Sequence, residues 1–196
     1  MSEVLALPND PIARATLRLV QSTVSEAIVE HSVRSFLFAR LIAEQEGSVH
    51  DAEYDEGLLF AATTLHDLAL GTLSDSSARF EVEGADLASR FLREQGIADD
   101  DASRVWEAIA LHSSVGLADR MGLLTSLTHR GVFTDGGRVS ALPEHLAEPV
   151  RRAYPRPPGD SSLREAIIAH GRRSAAAVPP FSIAADLIRR LDDPNA

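Results

Sequence analysis

Signals for the beginning and the end of α-helices recur along the whole chain, whereas no segment shows the sustained two-residue alternation of a β-strand. Asp10 followed by Pro11 is typical of an N-cap and a first helical turn, and predicts a helix that continues to about residue 20. Thr23 and Glu26 have the spacing of a capping box, which predicts a second helix ending at Gly47. These patterns predict an all-α fold.

Helix signals continue through the rest of the chain. Asp55 is placed to cap a third helix that leads to His66 and Asp67 and ends near Gly71. The segment 134–160 is rich in glycine and proline and is predicted to be mostly loop. The other helices are expected at about 80–95, 101–113, 119–130, 162–176 and 183–191.

The length predicts one domain. A chain of 196 residues, 44% of them hydrophobic, is long enough to bury a sizeable core. We expect a single compact domain over 1–196, with its core at about 24–135 and a C-terminal helical appendage at about 160–192.

The composition excludes several kinds of catalytic and metal-binding site. The chain has no cysteine, and all 19 of its basic residues are arginine, so thiolate metal sites, a cysteine nucleophile, Schiff-base lysines and a phosphate-loop lysine are excluded. The net charge of −10 without a basic patch argues against nucleic-acid partners, and no apolar run approaches the ~20 residues of a membrane span. The first ten residues lack the features of a signal peptide, so we expect a soluble cytoplasmic protein.

Several residues suited to metal chemistry fall on faces predicted to point inward. His31 lies in a helical stripe of apolar residues, and His112 lies on a similar apolar face. His66 and Asp67 are adjacent in a run of Ala, Leu and Thr, where a buried imidazole and carboxylate must be paired or bound to a metal. Asp135 precedes two glycines just after a predicted helix. Each is compatible with a satisfied polar group in the core, but together they favour one site for a divalent cation held by nitrogen and oxygen.

The order His31, His66-Asp67, Asp135 resembles the H…HD…D pattern of the HD-domain metalloproteins, a superfamily of helical proteins. Within it, the chain is similar to the cyanamide hydratase group. The similar stretches span roughly 24–160 and are 31–36, 54–59, 65–70, 79–85, 106–113 and 154–156. The resemblance implies a compact helical bundle around a metal site, with His31, His66, Asp67 and Asp135 as ligands.

The resemblance also implies a reaction. HD-domain proteins can hold one or two metals, and one is favoured here because His129 lies only six residues before Asp135, whereas a second-metal ligand is expected from a separate helix. The expected ion is Zn²⁺ in the first place, with Fe²⁺ or Mn²⁺ as alternatives, and it activates water for the hydration of a small nitrile-like compound, cyanamide to urea in the first case. Asp67 and His112 are the expected catalytic residues, Asp67 as both ligand and proton carrier. The expected substrate contacts are Phe80, Glu81, Trp106 and Arg34.

Three other functions stay open at this stage. An HD-type phosphohydrolase acting on a nucleotide or phosphate ester is the first alternative, although residues 1–98 carry a net charge of −9. A two-iron oxygenase would need His112 and His129 as further ligands, and a noncatalytic binding protein would use the helical scaffold alone. The apolar residues Ile183, Leu187 and Leu191 are compatible with a homodimer and equally with docking onto their own domain.

Overall fold

The computed structural model describes residues 3–75, 77–137 and 142–192, and within these ranges the regular structure consists of nine α-helices and four short 3-10 helices, with no β-strand. The α-helices are α1 (Pro11–Thr23), α2 (Glu26–Glu46), α3 (Glu56–Leu65), α4 (Phe80–Glu94), α5 (Asp99–Leu111), α6 (Leu123–Asp135), α7 (Glu144–Ala153), α8 (Ser162–Gly171) and α9 (Ile183–Asp192). The predicted all-α fold is confirmed.

Two aspartates cap helices as the sequence predicts. The Asp10 carboxylate accepts hydrogen bonds from the backbone N–H groups of Ile12 and Ala13 at 2.9 and 3.0 Å. The Asp55 carboxylate accepts one from the backbone N–H of Leu58 at 2.9 Å. Each carboxylate satisfies donors that the first turn of a helix leaves without a partner, and so determines where α1 and α3 begin.

The predicted capping box at Thr23 and Glu26 is wrong. Thr23 is the last residue of α1, and its hydroxyl donates to the backbone oxygen of Leu19 at 2.7 Å. The N-cap of α2 is Ser25, whose side chain makes no capping hydrogen bond. Because the Thr23 hydroxyl is engaged by its own helix, it is not available to the N-terminus of the next one.

The segment 134–160, predicted to be mostly loop, contains the helix α7. In α7, Ala147 and Val150 are buried against the rest of the molecule, whereas Pro149 inside the helix gives this stretch the composition of a loop. Tertiary burial of a narrow apolar face therefore outweighs the helix-breaking tendency of one proline. Residues 138–141 of the same segment lie outside the described residues.

The central helix is α2. Every residue of α2 from position 31 to position 43 is buried, so it packs on all sides. At Gly131 a Cβ atom would clash with the backbone oxygen of Ser35 and lie 2.7 Å from Ala39 Cβ, so glycine permits the close crossing of α6 over α2. α6 also continues beyond the predicted end near residue 130, which brings Asp135 to α2.

The C-terminal helices dock onto the rest of the domain. A second buried apolar cluster joins α8 and α9 to α4 and to the segment after α3, and consists of Ala69, Phe80, Ile167 and Ala184. Ile183 and Leu187 are partly buried against it, whereas Leu191 is 54% exposed. None of the helices in the described part of the chain combines the length and the apolar character needed to cross a bilayer.

Candidate metal centre

Three side chains from two elements meet in the interior. His31 lies in the second turn of α2, and His66 and Asp67 form the turn at the end of α3. His31 Nε2 is 3.1 Å from His66 Nε2, and Asp67 Oδ2 is 3.1 Å from His66 Nε2 and 3.7 Å from His31 Nε2. All three residues are buried. These groups are the three-residue cluster of potential metal ligands that the described part of the chain contains.

Hydrogen bonds determine the tautomer of both histidines. His66 Nδ1 donates to the backbone oxygen of Thr63 at 2.7 Å, and His31 Nδ1 donates to Asp135 Oδ2 at 2.6 Å. In the neutral imidazoles both Nε2 atoms therefore carry a lone pair and no proton, and they face each other. Asp67 Oδ2 is buried between them without a hydrogen-bond partner. Three buried electron-pair donors at this separation repel one another unless a proton or a metal cation lies among them. Burial lowers the pKa of His66, but the charge of Asp67 and the hydrogen bond that a protonated His66 can donate to it raise that pKa above its usual value, which shows that the cluster attracts positive charge.

The spacing fits a divalent cation. Ligand atoms that bind a metal at about 2.0–2.1 Å are separated from one another by about 2.8–3.0 Å in octahedral and about 3.3–3.4 Å in tetrahedral coordination. The observed separations of 3.1, 3.1 and 3.7 Å are close to these ranges. Two imidazole nitrogens and one carboxylate oxygen are a donor set that suits Zn²⁺, Fe²⁺ and Mn²⁺.

The charges around Asp67 keep its carboxyl group ionised. Burial alone would raise the pKa of Asp67, but the positive charges that His66, His31 and His112 carry when protonated hold it well below its usual range. Asp67 is therefore ionised at neutral pH, as a metal ligand must be.

Asp135 lies beside the cluster, in contact with the far side of the His31 ring. It is the last residue of α6, and besides His31 it accepts hydrogen bonds from Arg34 Nε at 2.6 Å and from Arg156 Nη2 at 2.6 Å. Burial raises the pKa of Asp135, but the hydrogen bond and charge of His31 and of Arg34 lower it far more. In this arrangement Asp135 orients a ligand. Its assignment as a fourth ligand stays a prediction.

A cavity of about 240 Å³ leads to the cluster. His31, His66 and Asp67 lie at one end of it, together with His112 and Ser113 from the end of α5. The walls are largely apolar and include Phe80, Val132, Phe133, Leu163, Ile167, Ile183 and Leu187. The rest of the lining consists of the charged residues Arg34, Arg156, Asp160 and Arg164, together with Ala27 and Gly136. The cluster of potential metal ligands is therefore accessible from a mainly apolar cleft.

The structure brings most of the predicted site residues to this cavity. Phe80 lines it, as predicted, and so does Arg34. The Arg34 guanidinium, however, is buried and paired with Asp135, and its Nη1 donates to the backbone oxygen of Tyr154 at 3.3 Å. The hydrogen-bond donors of Arg34 are therefore engaged by α6 and by the end of α7, and they position Asp135.

His112 lies next to the cluster of His31, His66 and Asp67 but is not one of its members. Its ring centroid is 4.8 Å from that of His66, and its Nδ1 donates to the backbone oxygen of Ile109 at 2.7 Å. Burial, followed by repulsion from the protonated form of His66, lowers the pKa of His112 to about 4. The imidazole is neutral at pH 7, and its Nε2 accepts rather than donates a proton.

Two predicted substrate contacts lie elsewhere. Glu81 is buried behind the cavity, where it accepts hydrogen bonds from Ser113 Oγ at 2.6 Å and Arg79 Nη2 at 2.8 Å. Trp106 is 36% exposed, and its indole N–H donates to Asp86 Oδ1 at 2.7 Å on a separate surface groove. Trp106 is not a wall of the cavity, because it follows the inward-facing Val105 and so points about 100° away from the core side of α5.

His129, the other candidate for a second metal, is also outside the cluster. Its Nδ1 donates to the backbone oxygen of His112 at 2.7 Å, and its ring packs against Phe133 at 4.3 Å between centroids. These contacts are those of a satisfied core histidine and give the two-metal alternative no support.

Sequence reasoning missed part of the site. Ser113 follows a predicted catalytic histidine directly, and that adjacency was a usable signal. Arg156 lies in the stretch 154–156 that is similar to the cyanamide hydratase group, but its partner Asp135 is 21 residues earlier, too far for a local pattern to indicate the pair. The apolar wall from α8 and α9 carried no signal, because residues of this kind are typical of any helix packed on a core.

The sequence model of the HD-domain family matches residues 28–192. The chain belongs to the HD-domain family. No curated protein matches it in sequence. The matched range includes α8 and α9. HD domains are typically metal-dependent hydrolases, and the cluster of His31, His66 and Asp67 agrees with a metal-dependent activity of that type.

Proposed function

We propose that this HD domain catalyses the metal-dependent hydration of a small, neutral nitrile-like compound, with the conversion of cyanamide to urea as the reference reaction. The observation that carries the proposal is the mainly apolar cavity that opens on His31, His66 and Asp67. The polarity of the cavity wall favours a substrate without charge, and a nitrile carbon is an electrophile that water can attack without a charged leaving group.

The charges near the centre support a neutral substrate. Arg34 and Arg156 both donate to Asp135, so their charges are largely offset by this carboxylate and by Asp160 in the same lining. A phosphate group needs donors that are free to form bidentate hydrogen bonds with its oxygens. In this cavity the buried arginine already makes that pair with a carboxylate.

The chemistry needs a nucleophile and a proton carrier. A divalent cation held by His31, His66 and Asp67 would lower the pKa of water toward about 7 and supply a nucleophile at neutral pH. Hydration of a nitrile moves both protons of the water to the nitrile nitrogen, the second of them in the tautomerisation to the amide. The first proton must leave the oxygen as the oxygen attacks the carbon. His112 Nε2 has a free lone pair beside the cluster and can accept this proton and then deliver it. Asp67 is the alternative carrier through its second oxygen.

Substrate binding falls to the residues beside His112. The Ser113 hydroxyl donates to Glu81, so its oxygen lone pairs are available to accept an N–H from cyanamide. Phe80 lies against the His112 ring at 5.7 Å between centroids and helps to exclude water from that side.

A phosphohydrolase is the second candidate, and one observation favours it. Arg164 is exposed and lines the cavity together with the half-exposed Arg156. These two side chains are a suitable pair for a phosphate that enters from the solvent side.

The deciding experiment combines elemental analysis with two assays on the same preparation. We expect about one divalent metal per chain, urea formation from cyanamide, and no phosphate release from a panel of nucleotides and phosphate esters. His66→Ala removes a ligand and should abolish both metal and urea formation. Stoichiometric metal with phosphate release and no urea would replace the proposal by the second candidate. Metal with neither product would refute both.

A further inference from the structure

The cavity is much larger than cyanamide requires. Its volume of about 240 Å³ corresponds to about eight water molecules at about 30 Å³ each. Cyanamide has three heavy atoms, so it would leave room for about five more. A pocket that fits its ligand buries most of the ligand surface, and cyanamide alone would leave most of this cavity wall without a contact.

The surplus space is bounded by apolar side chains from the C-terminal helices. Leu163 and Ile167 come from α8, and Ile183 and Leu187 come from α9. Phe80 connects them to the metal end, since it lies in the same buried cluster as Ile167 and also contacts His112. The apolar wall is therefore continuous from α9 to the side chains that surround the metal cluster.

We propose that the substrate of this HD domain carries an apolar substituent that binds between α8 and α9 while its nitrile group lies at the metal end. This inference rests on the proposed function and specifies its substrate class as monosubstituted cyanamides, or nitriles, with about four or five carbon atoms beyond the reacting group. The balanced reaction is R–NH–C≡N + H₂O → R–NH–CO–NH₂. One water adds across the carbon–nitrogen triple bond, and no oxidant or second reactant is required.

The first test is a series of unbranched N-alkyl cyanamides on the metal-loaded protein. Each methylene that becomes buried should raise kcat/KM about threefold to fourfold. The increase should continue from cyanamide to N-butylcyanamide and stop or reverse at N-octylcyanamide, which exceeds the cavity. A kcat/KM that is flat or falls from cyanamide to N-butylcyanamide would overturn the inference.

A pair of matched variants locates the effect. Leu187→Trp fills the apolar end of the cavity from α9, and should reduce the ratio of kcat/KM for N-butylcyanamide to that for cyanamide to about one. Leu191→Trp introduces the same side chain one turn later on α9, at a position that is 54% exposed, and should preserve the wild-type ratio. Equal ratios in the wild type and Leu187→Trp would contradict this location.

A binding measurement separates this inference from the proposed reaction. N-butylurea and urea are the corresponding products, and their affinities can be measured by calorimetry without turnover. We expect N-butylurea to bind at least tenfold more tightly than urea to the wild type and to Leu191→Trp, but not to Leu187→Trp. If this pattern appears while no cyanamide is hydrated, the apolar site stands and the proposed reaction falls. If N-butylurea and urea bind equally to the wild type, the apolar site falls.

Discussion

The ends of α3 and α5 are two versions of the same local structure. Each helix ends one residue before a buried histidine, His66 after α3 and His112 after α5. Each imidazole donates from Nδ1 to the carbonyl three residues earlier, of Thr63 and of Ile109, at 2.7 Å in both cases. The last carbonyls of a helix lack the usual donor four residues later, so each of these two can accept the imidazole N–H, and this hydrogen bond determines the tautomer. The Ile109 carbonyl also accepts the backbone N–H of His112 at 3.3 Å.

The two ends differ in the residue that follows the histidine. After His66 comes Asp67, whose unpaired Oδ2 lies 3.1 Å from the imidazole Nε2. After His112 comes Ser113, whose hydroxyl donates to Glu81. The first end therefore presents a negative donor set that suits a cation, and the second presents a neutral imidazole beside a hydroxyl. One helix-end geometry thus suits metal binding at His66 and, under the proposed function, proton transfer to the substrate at His112, according to the neighbouring side chain.

The largest expected effect comes from removing the ligand histidine. In His66→Ala we expect the metal content to fall from about one per chain to near zero, with at least a thousandfold loss of hydration, since two ligands do not retain the ion. Elemental analysis after dialysis measures the metal directly. His145→Ala, a change of the same kind at an exposed histidine on α7, should retain the metal. Full metal content in His66→Ala would show that His66 is not needed for metal binding, so the ends of α3 and α5 would not differ in this respect.

The same substitution at the other helix end should separate metal binding from turnover. His112→Ala should keep its metal, because His112 is not part of the ligand cluster. Loss of the proton carrier should lower kcat by about 10²- to 10⁴-fold. A joint measurement of metal content and urea formation gives both quantities. Loss of metal in His112→Ala would show that His112 is a ligand and that the two ends share one role.

Glu81→Gln tests how much the buried Glu81 carboxylate, which binds Ser113 next to His112, contributes to the free energy of unfolding. Burial raises the pKa of Glu81, but hydrogen bonds from Arg79 and Ser113 and the charge of His112 lower it below the ordinary value of 4.5. The ionised form therefore stabilises the fold above about pH 4.5, and this contribution disappears as the pH falls through the lower folded-state pKa. At pH 7 the substitution should reduce the free energy of unfolding by about 2 kcal/mol.

Denaturation by urea at several pH values checks this expectation. The difference between the wild type and Glu81→Gln should shrink as the pH falls below about 4.5. Glu94→Gln, at an exposed position on the same helix, is the matched control and should stay within about 0.5 kcal/mol of the wild type at pH 7. A difference for Glu81→Gln that does not change with pH would contradict a role for its charge.

The smallest expected effect is that of Ser113→Ala. The hydroxyl makes one hydrogen bond to Glu81, and Arg79 still satisfies that carboxylate after the change. We expect a loss of about 1 kcal/mol in stability and an increase in KM of less than about tenfold, with the metal unaffected. Thermal denaturation and steady-state kinetics measure the two quantities. A loss of metal here would mean that Ser113 supports the His66 end as well.

Local signals accounted for much of the fold. The caps at Asp10 and Asp55 were readable because a carboxylate two or three residues before unpaired N–H groups acts within one turn. The capping box at Thr23 failed because the same hydroxyl had a competing acceptor in the preceding helix. α7 was missed because burial of Ala147 and Val150 depends on what the helix packs against.

The sequence by itself determined the all-α class and the pairing of His66 with Asp67, because helix signals and an adjacent imidazole and carboxylate are local properties. It also identified His31 and Asp135 as candidates, through the order of residues that resembles the HD domain. Only the tertiary structure decided that His31 completes the cluster while Asp135 contacts the back of its ring, and that α8 and α9 wall the cavity. The contact of His31 with Asp135 joins residues 104 positions apart and depends on how α2 and α6 cross at Gly131. The wall from α9 comes from residues still further along the chain, so neither relation follows from a local pattern.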